Sequence, residues 1–198
     1  DPLNISKGNP SLKPSYTNSF MLFYNTFLPE KQQSMMARLT FSNTINSVSN
    51  TVTYDEETGA RITQPKNING NWSASGGFVF NTPLKNKKFT VSTFSDGSYN
   101  NMVGFTSLSG QTDSQKNTTR SLNLSERLNG TFRNDWFEFG LNGGIRYNVS
   151  KSTLQPQSDK ETFDYSFGAS SNVTLPWDVT VSTDASYSMK RGYSEGLD

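Results

Sequence analysis

Asp96, Ser98 and Asn100, in the run DGSYN, put oxygen ligands at alternate positions, as the start of a calcium loop does. The bidentate carboxylate that closes such a loop is missing downstream, and a bulged strand accounts for the same residues without an ion. The acidic run DEETG (55–59) is read as a solvated hairpin tip. The chain has no Cys and no His, which removes thiol nucleophiles, thiolate zinc sites, disulfides and every triad that needs an imidazole. Carboxylates occur in pairs, but none stands beside an acid–base partner in sequence. No catalytic residue, cofactor or metal site is therefore expected, and the protein is not read as an enzyme. What remains is a spread of charges, Arg38, Arg127, Arg146, Asp164 and Asp184, each set among alternating residues. Their spacing suggests one face of a sheet rather than a reaction centre.

The elements that would carry those charges follow from a period of two. In SNVTLPWDVTVSTDASYSM (171–189), Val173, Leu175, Val179, Val181, Ala185, Tyr187 and Met189 alternate with polar residues across a short turn. The same alternation recurs from about residue 15 onward and predicts eight strands, at 15–28, 33–54, 60–83, 87–109, 117–133, 136–152, 161–175 and 178–193. Only 32% of residues are hydrophobic, yet 13% are aromatic and the net charge is +1, so the chain is ordered with an economical apolar face rather than disordered. That near-neutral charge gives no reason to expect a nucleic-acid partner. No apolar run approaches the roughly 20 residues of a membrane helix.

The connections alternate in kind. Short ones (28–33, 83–87, 133–135, 176–178) take turns with longer polar ones (55–60, 109–117, 154–161), which in an up-and-down meander places all short turns at one end. Outer-membrane barrels have this asymmetry, and their strands outrun the five or six residues common in globular sheets. Aromatics fall in two bands. Trp136 and Trp177 sit at short turns with Phe27, Phe89 and Phe132 close to others, while Trp72, Tyr147 and Tyr165 lie toward the long-loop side. Such bands suit lipid-facing girdles. On this reading Arg38, Arg127, Arg146, Asp164 and Asp184 face the lumen. A β-sandwich alternates too, with its apolar rows inward, and stays open as the alternative. A bulge is expected at FSDGSYNN, where the apolar row of the fourth strand lapses.

The segment GNPSLKPSYTNSFMLFY (8–24) adds a resemblance. Gly8, Asn9, Pro10, Leu12, Lys13, Pro14 and Tyr16 match a GNPxLKPE-Y segment, with Ser15 in place of its acidic residue. The segment resembles one that recurs in TonB-dependent receptors and the related outer-membrane β-barrel family of Gram-negative bacteria. The resemblance implies a piece of a barrel of about 22 strands, a plug domain and remaining strands supplied elsewhere in the full-length protein, and a TonB-type energy transducer as partner. It divides the chain into a lead-in loop over 1–14 and a barrel segment over 15–198. The expected fold is all-β, an antiparallel up-and-down meander of about eight long strands forming part of a transmembrane barrel. The expected function is uptake of an unidentified small solute across the bacterial outer membrane. A passive or structural barrel and a soluble all-β glycan-binding module are the alternatives.

Overall fold

Residues 3–84 and 87–193 are described by the computed structural model. The chain is all-β. Its strands are β1 (Asn4–Ser6), β2 (Tyr16–Leu28), β3 (Gln33–Ile45), β4 (Ser47–Tyr54), β5 (Arg61–Ile68), β6 (Asn71–Pro83), β7 (Phe89–Thr106), β8 (Gln115–Arg133), β9 (Phe137–Ser152), β10 (Lys160–Thr174) and β11 (Thr180–Arg191). Eight of them form one antiparallel sheet in the order β11-β10-β9-β8-β7-β6-β3-β2. β2 and β11 each have a ladder partner on one side only among the described residues, so the sheet is not closed. The short connections lie together at one end. Positive φ at Gln32 and Asp178 closes two of them, each after an N–H that bonds the carbonyl three residues back, at Pro29 and Leu175. The turn at 83–87 lies partly outside the described residues.

The strands expected at 33–54 and 60–83 are each broken in two. At Asn46 (φ 53) and Gly70 (φ 119) the hairpin bends, and its outer half, β4 and β5, leaves the large sheet to pair with β1. Two residues intervene on each side, between the pairs Thr44↔Asn71 and Ser47↔Ile68, so register passes through the bend unchanged. Any side chain at Gly70 would meet the Val103 methyl at 2.9 Å, which reserves this positive-φ site for glycine. The ribbon then leans on β7 and on the loop after it. Phe105 N–H bonds the Ser49 hydroxyl at 3.2 Å, and Val52 N–H bonds the Ser114 hydroxyl at 2.9 Å. The lead-in segment also departs from a plain loop, because Asn4–Ser6 run parallel to Arg61–Thr63 as β1.

No bulge occurs at FSDGSYNN. β7 holds unbroken register with β6 from Trp72↔Asn101 to Pro83↔Thr90 and with β8 from Phe89↔Phe132 to Thr106↔Gln115. The apolar row lapses there because Ser95 and Gly97 replace large side chains. Leu124 leans into the space over Gly97, and Leu39 does the same over Gly76.

Burial separates the two architectures left open by alternation. The buried hydrophobics among the described residues are Val52, Ala60 and Ile68 in the ribbon and Val103 on β7. In the large sheet Phe20 is 63% exposed, Phe167 60% and Leu141 54%. A sandwich would bury these rows against a second layer. Among the described residues no layer covers them.

Two outcomes follow. Phe167→Arg, mid-strand on the apolar face, should destabilise the full-length protein in lipid vesicles by about 2–4 kcal/mol in urea unfolding, and Ser186→Arg on the other face by under about 1 kcal/mol. Equal effects would contradict two-sided solvation. At the ribbon tip, Thr58 donates its hydroxyl and its N–H to the Asp55 carboxylate, which holds the carboxyl below its ordinary 3.8. Its contribution to turn order is complete above the ordinary value and is lost as pH falls through the lowered one. Amide exchange at Thr58 should therefore accelerate only below that range, and Asp55→Asn should remove the pH step.

Candidate functional site

Unslipped antiparallel pairing puts one residue from each strand into a transverse row. One such row reads Phe23, Arg38, Gly77, Asp96, Ser125, Arg146, Asp164 and Lys190, from β2 to β11. Its charges alternate in sign. Arg38, Arg146 and Asp164 thus share the polar face. Arg127, paired with Phe94 and Gly144, and Asp184, paired with Ser170, share it too. A cavity of about 410 Å³ is lined by Asp96, Arg127, Arg146, Asp164 and Lys190, and one of about 350 Å³ by Arg38, Asp96 and Arg146 with Ser and Asn side chains. Asp184 lines neither. Tyr193 donates its hydroxyl to Asp164 at 2.9 Å. Arg38, Asp96 and Arg146 make no side-chain hydrogen bond or ion pair among the described residues; the ion pair found there, Arg133–Glu138, lies by a short turn. Asp96, Ser98 and Asn100 stand two apart on an extended strand, about 7 Å between neighbours, too spread to converge on one ion.

Met21, Phe23 and Phe27 of β2 and the cross-strand set Met36, Val79 and Phe94 stand on the polar face, but the opposite face carries most of the large apolar residues. Trp72, Tyr147 and Tyr165 lie on it, as do Phe89 and Phe132, whose centroids are 4.7 Å apart. Trp136 and Trp177 occupy short turns, 60% and 77% exposed. Phe27 belongs to the other face, opposite Ser34, so it leaves the lower aromatic band as sequence drew it. One acidic residue was missed. Glu126 lies in the apolar row between Leu124 and Leu128, and accepts from the hydroxyls of Thr93 and Ser95. The strict alternation through 122, 124, 126 and 128 already placed it there.

The GNPSLKPSY segment runs along the free edge of β5. Asn9 donates to the Pro65 carbonyl at 2.9 Å, and Gln64 donates to the Gly8 carbonyl at 3.1 Å. Asn67, which sequence did not single out, clasps the other end. It accepts from Lys13 N–H at 2.7 Å and donates to the carbonyls of Lys13 and Asn46. Pro10 and Pro14 carry no N–H to seek a partner, and Leu12 N–H returns to the Asn9 carbonyl. Tyr16 then opens β2.

Residues 1–135 match the outer membrane protein beta-barrel family. The chain belongs to this family. No curated protein matches it.

Membership places this outer-membrane barrel in the bacterial outer membrane and settles which medium the uncovered rows meet, since lipid is the apolar solvent there. Ring spacing fits. Phe137 and Tyr147 on β9, and Phe89 and Tyr99 on β7, are ten residues apart. That is about 34 Å of strand, or roughly 26 Å along the membrane normal at a tilt near 40°. An outer-membrane apolar band is about 25 Å tall. Between the bands of this barrel Glu126 has its oxygens satisfied by neighbouring hydroxyls, as an apolar surround requires. Ladder groups on the outer edges of β2 and β11 also need partners in that solvent.

Asn67→Ala removes the clasp on Lys13 and Asn46. Local opening of residues 8–14 should become easier by about 1–3 kcal/mol, seen as faster amide exchange at Lys13, with global unfolding little changed. Unchanged exchange would show that the strand edge alone holds the segment.

Proposed function

We propose that the chain is the barrel segment of an uptake receptor akin to TonB-dependent receptors. The reading rests chiefly on the polar face, where Arg38, Asp96 and Arg146 stand exposed and without charge partners in a row of alternating sign. Charges on a watery lumen face act on a solute that passes along it. The clasped GNPSLKPSY segment is the second support, through its resemblance to that receptor class. In this reading Arg38, Arg127, Arg146, Asp164 and Asp184 line the route of a small solute. Trp72, Tyr147 and Tyr165 form the girdle at the long-loop end, and Trp136 and Trp177 the girdle at the short-turn end. The remaining strands and a plug domain belong to the rest of the full-length protein, and an inner-membrane transducer supplies energy.

The test is growth on the limiting solute that induces the gene, in strains with and without the energy transducer. Uptake should require both the full-length barrel protein and the transducer. Uptake that persists undiminished without the transducer would identify a passive barrel instead.

A further inference from the structure

Arg127 on β8 and Arg146 on β9 stand diagonally across one strand pair of the polar face. Arg127 lies opposite Gly144, and Arg146 lies two residues further along β9, opposite Ser125. Positions so related are about 7–8 Å apart, within mutual reach of long side chains. Both arginines are exposed, and among the described residues neither makes a side-chain hydrogen bond or an ion pair. Gly144 puts no side chain beside them. The hydroxyl of Ser166, its partner on β10, leans into that space, where a Cβ would meet it at 2.8 Å. Arg127, Gly144, Arg146 and Ser166 all line the cavity of about 410 Å³. Asp96, Asp164 and Lys190 line it too, so three cations stand against two carboxylates and one positive charge is left over. Asp164 pairs with Arg146 and Lys190 in the ladder, but the group bonded to it is the Tyr193 hydroxyl, at 2.9 Å.

Two guanidinium forks and a hydroxyl, from three adjacent strands, gather around the notch at Gly144. We infer that this notch binds the phosphate group of a small solute, with Arg127 and Arg146 on either side and the Ser166 hydroxyl donating to a further oxygen. Phosphate presents oxygens in several directions, which donors from three strands can meet together, whereas a carboxylate presents two in one plane. Guanidinium–phosphate hydrogen bonds are charge-assisted, and the rigid fork fixes their geometry. Asp96 and Asp164 border the notch and oppose a second anionic group, which favours a solute that carries one. The proposal rests on the uptake reading and names its substrate class.

The experiment is calorimetric titration of the full-length protein in detergent with sodium phosphate, and separately with sodium acetate, at constant ionic strength. Phosphate should bind saturably, and acetate about tenfold more weakly or not at all. Arg127→Gln and Arg146→Gln should each weaken phosphate about tenfold or more, and Ser166→Ala, which leaves both charges in place, about threefold or more. Arg191→Gln, the same loss of charge on the opposite face, should leave affinity unchanged. No saturable binding of phosphate at millimolar concentration, equal binding of acetate, or an equal loss in Arg191→Gln would overturn the assignment. Such a failure alongside transducer-dependent uptake would leave the uptake reading standing. Phosphate binding alongside transducer-independent uptake would support the notch and reject the energised cycle.

Discussion

A peptide group in hydrocarbon has no water to bond, and that single constraint organises this chain. Every strand of the large sheet must give its N–H and C=O groups to a neighbour along its whole membrane length. Register therefore holds without slip from β2 to β11, even where the residues invite a bulge, as at Ser95–Gly97. Irregular backbone is confined to the long-loop end and to the turns. The bend at Asn46 and Gly70, the parallel β1 and the Asn67 clasp all belong to the region beyond the large sheet, where side-chain amides and water can satisfy what the ladder does not. The small buried core lies there too, around Val52, Ile68 and Val103.

Unbroken register has a second effect. It aligns one residue from each strand, so that charges spread over more than a hundred residues of sequence meet in one row. Arg38 and Lys190 stand at opposite sides of the sheet, yet belong to the same transverse line as Asp96, Arg146 and Asp164. The same bookkeeping on the other face sets Glu126 beside Thr93 and Ser95. Two hydroxyls that seem to interrupt an apolar row supply the bonds that let a carboxyl occupy it.

The faces were legible in the sequence because period two reports burial directly. Phe163, Tyr165, Phe167 and Ala169 could be assigned without coordinates, and so could the shared side of Arg38, Arg127, Arg146, Asp164 and Asp184. The bend was not legible for a physical reason: two residues on each strand cross it, so alternation continues on both sides as if the strand were straight. The row was hidden because strand order and register, not composition, decide which residues lie opposite. Asn67 was hidden because a clasping amide and a solvated one look alike in sequence. No bulge forms in β7 because a lapse in hydrophobicity is not a lapse in pairing.

The central claim is that adjacent side chains of one strand live in different solvents. Single thiols can be placed at successive positions of β10, from Tyr165 to Val173, for spin labelling in vesicles of the full-length protein with any cysteine outside this chain replaced; the chain itself has none. Collision with dissolved oxygen should peak at 165, 167, 169, 171 and 173, and collision with a water-soluble nickel chelate at the positions between. Uniform accessibility, or the reverse alternation, would contradict the account.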